Sequence, residues 1–369
     1  MIWVLFIAAI SLAYANGAND NFKGVATLLG SRTIDYRRAL AWACWTTLAG
    51  SISAFWVARG LLQAFSGKGL VPDSIVASST FQFSVGLGAA ATVLLATRFG
   101  LPISTTHALI GSLLGAGLIH AGGSINVAHL ISIFLLPLFL SPLVAVISVS
   151  LVYLTCRWAR LAAGIDKDTC ICVGQEVVET IPVSSSGETL LRPLPILQAT
   201  INTDQVCRQV YRGTFFGFSA ARGLDILHYV SAGTVGFARG LNDTPKIAAL
   251  LLMVTGFPSA GKYGVVAFFM ALGGWISARR VAETMSHKIT ALNPGQGFSA
   301  NLTTAFLIIV ASRLGLPVST THVSSGSLFG IGLLSANANL KVITSILFSW
   351  VGTLPVAILI AALLSLMIR

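Results

Sequence analysis

Charged residues are scarce in this sequence, since Asp, Glu, Lys and Arg make up only 9% of its 369 residues. A soluble globular protein carries about 25%, so the shortage excludes a chain surrounded by water. Hydrophobic residues make up 55%, and apolar runs long enough to cross a hydrocarbon layer of about 30 Å recur along the chain. These runs lack the alternation of barrel strands. The sequence therefore predicts an all-α integral membrane protein.

Cysteine is also sparse, and the five cysteines do not form the pattern of a secreted disulfide framework. Four of them lie in or beside one polar region: Cys156, Cys170, Cys172 and Cys207. We expect them to be reduced in a cytoplasmic segment, with a metal site as the weaker alternative. The apolar N-terminus lacks the basic start and the cleavage site of a signal peptide, which predicts a retained helix.

The net charge of +11 could suggest a nucleic-acid partner, but the placement of the basic residues argues against one. They lie in short connections between apolar segments, as at Arg37, Arg38, Arg279 and Arg280. This bias is typical of the cytoplasmic loops of membrane proteins. We therefore expect a multi-pass protein of the cell (plasma) membrane, surrounded by lipid and without a nucleic-acid partner.

Apolar segments divide the chain into two similar parts around a polar linker. The segments lie at roughly 2–30, 38–62, 75–98, 103–120, 127–156, 224–255, 262–282, 298–313, 318–335 and 341–368. With helical hairpins included, about 10–12 membrane segments are expected. The predicted domains are a first transmembrane repeat at 1–156, a linker at 157–212 and a second repeat at 213–369. An alternating run from Thr169 to Val183 predicts one or two strands in the linker.

The two parts carry the same motifs in the same order. The matching residues are Gly17-Ala18-Asn19-Asp20 with Lys23 and Gly240-Leu241-Asn242-Asp243 with Lys246, then Gly100-Leu101-Pro102-Ile103-Ser104-Thr105-Thr106-His107 and Gly315-Leu316-Pro317-Val318-Ser319-Thr320-Thr321-His322. Each repeat has an odd number of segments, so the second copy should enter from the opposite face, which makes the repeats inverted. Placing the basic connections inside puts both termini outside and the linker in the cytoplasm.

The Asn-Asp pairs are the predicted sodium-binding residues: Asn19, Asp20, Asn242 and Asp243. Placing a carboxylate in an apolar membrane helix costs free energy, so its presence there indicates a functional role. The glycine before each pair permits unwinding, and Pro245 weakens the second helix further. Broken helices of this kind expose carbonyl oxygens that hold small cations in transporters. The alternative is a structural polar pair between packed helices.

The Ser-Thr-Thr triplets are the predicted phosphate-binding residues: Ser104, Thr105, Thr106, Ser319, Thr320 and Thr321. A glycine can end one helix, and the proline and hydroxyl residues can begin the next. A helix N-terminus with clustered donors suits a tetrahedral oxyanion, although ordinary capping is the alternative. Gln82 could also bind the anion or serve as a buried packing amide. Lys23 and Lys246 could pair with the aspartates, line the pathway or extend to the interface.

An anion and two carboxylates in one site would repel each other without a cation between them. The two motifs together therefore predict symport rather than a passive anion channel. A membrane enzyme would need a nucleophile or a metal cluster in a cleft, so we expect no enzyme and no cofactor, with sodium as the coupling ion.

On these duplicated motifs, the sequence resembles the inorganic phosphate transporter (PiT) family over nearly everything except the linker. The resemblance implies inverted repeats with helical hairpins and inorganic phosphate as the substrate. The family has sodium-coupled and proton-coupled members, and some relatives handle sulfate. Its pattern places a glutamate where this chain has Asn301, and the missing titratable group favours sodium. The expectation is a sodium/phosphate symporter with alternating access; proton coupling, sulfate as the substrate and a homodimer remain open.

Overall fold

The computed structural model describes residues 2–122, 124–175, 197–211, 215–252, 254 and 256–368. The α-helices of this part are α1 Ile2–Asp20, α2 Ala26–Gly30, α3 Tyr36–Val57, α4 Arg59–Ala64, α5 Asp73–Val76, α6 Ser79–Arg98, α7 Thr105–Ala121, α8 Val127–His129, α9 Leu136–Ala162, α10 Asp204–Val210, α11 Ala220–Ala248, α12 Ser259–Ser277, α13 Arg279–Glu283, α14 Pro294–Arg313, α15 Thr320–Leu334 and α16 Leu340–Ile368. Short 3-10 turns cover Asn21–Gly24 and Ala249–Leu251, and π-helical turns cover Leu130–Leu135 and Thr284–Lys288.

The chain forms two compact units. The helical unit comprises Met1–Leu154 and His228–Arg369, and the linker unit comprises Thr155–Leu227. Every sodium-binding and phosphate-binding residue predicted from the sequence belongs to the helical unit.

The helical unit has the apolar exterior of a membrane protein. Large side chains such as Trp45 and Phe348 are 69% and 77% exposed. Within the part of the chain that the structure describes, four helical stretches are long and apolar enough to span a membrane: Tyr36–Val57, Ser79–Arg98, Val127–Ala162 and Leu340–Ile368. A bent pair, Ser259–Ser277 with Arg279–Lys288, could form a fifth.

Fewer spans meet that test than the ten segments outlined from the sequence. One reason is that the helices following the hydroxyl triplets are short, with 17 residues in α7 and 15 in α15. At 1.5 Å per residue they reach only about 22–26 Å, less than a hydrocarbon layer of about 30 Å. Their length suits half-helices of the predicted hairpins rather than independent spans.

Each hydroxyl triplet begins a helix, as the sequence predicts. Gly100 and Gly315 follow α6 and α14 and both adopt φ +69°, a left-handed conformation that favours glycine. Ser104 then accepts the His107 amide at 3.1 Å, and Ser319 accepts the His322 amide at 3.2 Å. These N-caps start α7 and α15, so both helix–turn–helix hairpins are confirmed.

The Asn-Asp motifs differ in local structure between the halves. In the first half, α1 ends at Asp20 and a 3-10 turn follows directly. In the second half, α11 continues through Asp243 and Pro245 to Ala248. Unwinding at the second motif is therefore a wrong expectation. Pro245 removes one backbone donor from the helix, but the regular helix ends only where the 3-10 turn begins at Ala249.

Close contacts between helices recur at equivalent glycines of the two halves. A Cβ on Gly17 of α1 would lie 1.9 Å from the Met270 carbonyl of α12, and one on Gly240 of α11 would lie 2.2 Å from the Thr47 carbonyl of α3. Only glycine permits such an approach of backbones, a common device in membrane helix packing. The two motifs therefore share close helix packing as well as sequence. The inversion of the two repeats in the membrane stays a prediction.

The linker unit contains a three-stranded antiparallel sheet, an exception to the all-α prediction. Its strands are β1 Thr169–Gln175, β2 Leu197–Thr203 and β3 Phe215–Ser219, in the order β2-β1-β3. β1 pairs Thr169 with Thr203 and Cys170 with Ser219. The predicted strand from Thr169 is confirmed as far as Gln175, and the rest of that run lies outside the described residues.

The expectation that all linker cysteines are reduced is wrong for two of them. Cys172 and Cys207 form a disulfide. Cys170 and Cys172 lie on one face of β1 because side chains alternate along a strand, and α10 begins directly after β2 and carries Cys207 to that face. The three sulfur atoms lie within 4.8 Å of one another, and Cys170 remains a buried free thiol.

Candidate functional site

The two Asn-Asp motifs and the two hydroxyl triplets meet inside the helical unit. All ten of these predicted residues are buried, with exposed fractions of 5% or less: Asn19, Asp20, Asn242, Asp243, Ser104, Thr105, Thr106, Ser319, Thr320 and Thr321. Hydrogen bonds connect the motifs of each half and cross between the halves. We call this group, together with Asn16, Lys23, Arg239 and Lys246, the central cluster.

Asp20 is fully buried and accepts bonds from three side chains. Its Oδ2 accepts from the Thr105 hydroxyl at 2.9 Å and from the Asn16 amide at 2.9 Å. Its Oδ1 pairs with the Lys23 ammonium. The carboxylate is thus held by a hydroxyl triplet on one side and by a basic side chain on the other.

The Lys23 ammonium lies among oxygen atoms contributed by four residues. Besides Asp20, it donates to the Asn19 Oδ1 at 2.9 Å, the Ile103 carbonyl at 2.8 Å and the Thr321 hydroxyl at 2.6 Å. Pairing with the aspartate, one of the roles predicted for this lysine, is confirmed. The ammonium also connects the first Asn-Asp motif to the second hydroxyl triplet.

The second half repeats this arrangement. The Lys246 ammonium lies 3.5 Å from the Asp243 Oδ1 and donates to the Thr106 hydroxyl and to the Val318 carbonyl, both at 2.8 Å. Thr320 donates to the Asp243 Oδ2 at 3.4 Å, as Thr105 does to Asp20. Each lysine therefore contacts the aspartate of its own half and a threonine of the other.

The two asparagines attach the motifs to the hairpins. The Asn19 amide donates to the Thr97 hydroxyl and the Leu101 carbonyl, both at 2.9 Å. The Asn242 amide donates to the Val318 carbonyl at 3.3 Å and to the Asp243 Oδ1 at 3.1 Å. The Asn19 Oδ1 accepts from the Lys23 ammonium and the Ile103 amide, and the Asn242 Oδ1 accepts from the Ser312 hydroxyl, so both side-chain oxygens face polar donors rather than lipid.

Asn16 and Arg239 join the two carboxylates and were not among the predicted site residues. The Asn16 amide donates to Asp20 and, at 3.2 Å, to Asp243. Arg239 donates to the Asn16 Oδ1 at 2.8 Å and places its Nε 3.8 Å from Asp243. The sequence did contain a signal for this pair. At equivalent positions before the Asn-Asp motifs, the second half has Arg239 and the first half has Asn16.

The central cluster has an excess of positive charge. Three buried basic side chains, Lys23, Arg239 and Lys246, face two buried carboxylates, Asp20 and Asp243. Charges removed from water are stable only when they are paired and hydrogen-bonded. Each basic group here lies within 3.8 Å of a carboxylate and donates to a neutral oxygen, and the Arg239 Nε has no hydrogen-bond partner among the described residues. One net positive charge in an apolar surrounding attracts an anion strongly, because little water screens it.

The hydroxyls of the triplets already have internal partners. Ser104 and Ser319 act as helix caps. Thr106 donates to the Val318 carbonyl at 3.4 Å, and Thr321 donates to the Ile103 carbonyl at 2.8 Å, so each bond crosses between the halves. An oxyanion would have to exchange these bonds for bonds to its own oxygens.

Gln82 lies apart from these contacts. Its amide donates to the carbonyls of Ser66 at 3.3 Å and Val76 at 3.2 Å, while its Oε1 has no hydrogen-bond partner among the described residues. Both bonds tie α6 to the connection before it. These two bonds do not connect Gln82 to the central cluster. Its role in binding the anion therefore stays a prediction.

The surroundings of the two lysines differ. A polar cavity of about 10 Å³, room for about one water molecule, adjoins Lys23, and its polar lining residues are Lys23, Thr27, Asn301, Thr304 and Ser324. Beside Lys246, the position equivalent to Thr27 is the buried Leu250, and the Phe65 ring lies 5.5 Å from the ammonium. The first lysine therefore adjoins a small cavity with five polar lining residues, itself included, whereas an aromatic ring lies near the second.

Comparison with known proteins gives a consistent result. A sequence model of the phosphate transporter family matches residues 16–361, which include both copies of each motif. A Thermococcus kodakarensis protein whose name proposes a phosphate permease is 29% identical over 404 residues, covering 98% of this chain and 97% of that protein. A Rhizobium meliloti protein whose name proposes a low-affinity inorganic phosphate transporter is 27% identical and covers 97% of this chain and 94% of its own length.

The fold is similar to a solved structure of a sodium-dependent phosphate transporter. The TM-score is 0.75 at 21% identity, covering 100% of this chain and 98% of the other. At this level of identity the likeness establishes the fold. The prediction of a helical, multi-pass membrane protein is confirmed.

Proposed function

Because the chain belongs to the phosphate transporter family, we propose that it carries inorganic phosphate across the cell membrane as a sodium-coupled symporter. As a member of this family it is a transporter and not an enzyme. The observation that carries the proposal is the central cluster, where hydroxyl donors and basic side chains of both halves surround two buried carboxylates.

The charge and the donors of the central cluster support an anionic substrate. Phosphate would accept hydrogen bonds from the threonine hydroxyls and from the lysine ammoniums, and charge-assisted bonds of this kind are the strong ones. The starts of α7 and α15 add the positive ends of two helix dipoles. Phosphate carries a proton at neutral pH, which Asp20 or Asp243 could accept in a hydrogen bond, whereas sulfate has none to donate.

The oxygen atoms of the Asn-Asp motifs support sodium as the coupling ion. Asn19, Asp20, Asn242 and Asp243 offer carboxylate and amide oxygens. The Ile103 carbonyl is a further oxygen beside the first pair, since it accepts from the same Lys23 ammonium as the Asn19 Oδ1. Transporters of broken-helix design hold small cations with ligands of this type. Two sodium ions would offset the charge of a divalent phosphate.

The hydrogen bonds between the halves support alternating access. Thr106 and Thr321 each bind a carbonyl of the opposite half, so rocking one half against the other would require these bonds to open. We further propose that both termini lie outside and that the linker lies in the cytoplasm, which follows from the bias of basic residues.

Uptake of radiolabelled phosphate into proteoliposomes tests the proposal. Sodium, potassium and proton gradients are compared at matched ionic strength, with unlabelled sulfate as a competitor. We expect uptake to follow the sodium gradient and to resist a tenfold excess of sulfate. Uptake that ignores sodium and follows a proton gradient would reject sodium coupling, and equal competition by sulfate would reject phosphate selectivity.

A further inference from the structure

Two lysine ammoniums occupy the oxygen atoms that a free cation would need. The Lys23 ammonium contacts the Asp20 carboxylate, the Asn19 Oδ1, the Ile103 carbonyl and the Thr321 hydroxyl. These are carboxylate, amide, carbonyl and hydroxyl oxygens, and two of the residues are predicted sodium ligands. We call this group the first oxygen cage.

Lys246 has the equivalent surroundings in the other half. Its ammonium contacts the Asp243 carboxylate, the Val318 carbonyl and the Thr106 hydroxyl. These three residues form the second oxygen cage. Lys246 and Lys23 are 2% and 5% exposed, so neither ammonium has exchanged its protein ligands for bulk water.

The two cages are built by the same rule, which argues against chance contact. Each contains the aspartate three residues before the lysine, the carbonyl of the residue after the hairpin proline, and the last threonine of the opposite triplet. An ammonium has three donors and no acceptor, so hydrogen-bond acceptors satisfy it, and in both cages these are oxygen atoms. A small hard cation requires the same kind of ligand set, and the two cannot use one set of oxygens together.

We propose that Lys23 and Lys246 are tethered cations that determine whether sodium can occupy the two cages. Each ammonium competes with free sodium for the carboxylate of its own half. When sodium displaces it, the ammonium becomes free to bind the phosphate, so cation binding and anion capture are linked. The proposal deepens the proposed function and rests on it for assigning the Asn-Asp motifs to sodium.

The test is sodium-dependent thermal unfolding of the purified full-length protein in detergent, without phosphate. Lys23→Met and Lys246→Met keep the hydrocarbon stem but remove the ammonium. Sodium chloride is titrated against choline chloride at constant ionic strength. A ligand that binds the folded state stabilises it by RT ln(1 + [L]/Kd), so Tm begins to rise when the ligand concentration approaches Kd. We expect this rise to begin at a sodium concentration at least tenfold lower in both variants than in the wild type.

Two controls separate the cages from general effects. Lys341→Met, at an exposed lysine of α16, should keep the wild-type sodium dependence. The double variant Asp20→Asn with Lys23→Met removes both charges of the first cage, and it should lose the sodium response gained by Lys23→Met. Lys246→Met is the safer variant for folding, because Asp243 keeps Arg239 at 3.8 Å.

Equal sodium dependence in the wild type and in both variants would overturn the proposal. So would variants that stay unfolded even at high sodium, since a vacated cage should be filled and stabilised. The outcome is independent of the transport assay. Uptake that ignores sodium in the wild type, combined with a gained sodium response in the variants, would reject sodium coupling and keep the assignment of the lysines. Sodium-driven uptake in the wild type, combined with unchanged sodium dependence of unfolding in the variants, would keep sodium coupling and reject the assignment of the lysines.

Discussion

The ammonium of Lys23 donates a 2.6 Å hydrogen bond to the hydroxyl of Thr321, from the first half of the chain to the second. In the opposite direction, the ammonium of Lys246 in the second half donates to the hydroxyl of Thr106 in the first half at 2.8 Å. The two halves are thus joined through the residues that would bind the substrate. Any movement of one half against the other has to change these bonds, so under the proposed function substrate binding and this movement would depend on each other.

The first prediction concerns the threonines that face the lysines. Thr106→Val and Thr321→Val keep the shape of the side chain and remove the hydroxyl. Each should weaken phosphate binding by about 1.5–3 kcal/mol, the range for bonds to charged groups, which is about tenfold to a hundredfold in Kd. Binding of radiolabelled phosphate to the purified variants measures this. Thr344→Val is the control, because the partners of its hydroxyl among the described residues are the Leu340 and Lys341 carbonyls of its own helix. Unchanged phosphate affinity in both site variants would remove these hydroxyls from the binding model.

The second prediction concerns the carboxylates. Asp20→Asn and Asp243→Asn should each abolish sodium-driven uptake and lower the apparent affinity for phosphate, because coupling between two ligands is reciprocal. Asp20→Asn should also lower the free energy of unfolding by about 3–5 kcal/mol, since it leaves the Lys23 ammonium buried without its carboxylate. Uptake assays and thermal unfolding measure the two effects, with circular dichroism to verify that the variants stay helical. Full sodium dependence in both variants would make the Asn-Asp pairs structural.

The third prediction concerns the polar cavity beside Lys23. Asn301 lines the cavity and donates to the Thr27 hydroxyl at 2.9 Å. Asn301→Leu should reduce the maximal rate of phosphate uptake at least tenfold if the substrate reaches Lys23 through this cavity, because an apolar side chain would replace one of its polar lining residues. Leu302→Ile, at the partly exposed neighbouring position, should have little effect. Wild-type uptake in Asn301→Leu would show that the substrate does not pass this cavity.

The fourth prediction concerns helix packing. Gly17→Ala would place a Cβ 1.9 Å from a backbone carbonyl, which cannot rotate aside. The variant should lose about 1–3 kcal/mol or more of stability through overpacking. Gly352→Ala is the matched control, since its Cβ would meet nothing within 4 Å. It should be neutral or stabilising by about 0.5–1 kcal/mol, because alanine favours helix. Thermal unfolding in detergent compares the two, and equal stability would contradict the close approach of α1 and α12.

The fifth prediction concerns orientation. Cys156 is exposed, whereas Cys170 is buried and Cys172 is bonded to Cys207, so Cys156 is the suitable probe. In a Cys44→Ser background, an impermeant maleimide should fail to label Cys156 in intact cells and should label it after permeabilisation. Ready labelling of intact cells would place this end of the linker unit outside and reverse the proposed topology.

Much of this fold could be inferred from local sequence patterns. The scarcity of charge predicts a lipid environment, and the duplicated motifs predict two related halves. Gly100 and Ser104 end and begin helices for reasons contained in a few neighbouring residues, namely backbone freedom and a capping oxygen. These effects depend on neighbouring residues and not on tertiary contacts, so they can be recognised from the sequence.

The partners of the central cluster were decided by tertiary structure. Lys23 and Thr321 are 298 positions apart, and Asn16 meets Arg239 across 223 positions. No periodicity or spacing encodes such a pair, because the contact exists only after two halves pack through small residues. The Cys172–Cys207 disulfide also depends on tertiary structure, because the fold of the linker unit brings together two residues that are 35 positions apart. The sequence alone determined a membrane protein with duplicated motifs, in which each lysine could pair with the aspartate three residues before it. Packing decided which carbonyls and which threonines of the opposite half complete the surroundings of each ammonium, because those contacts exist only in the folded protein.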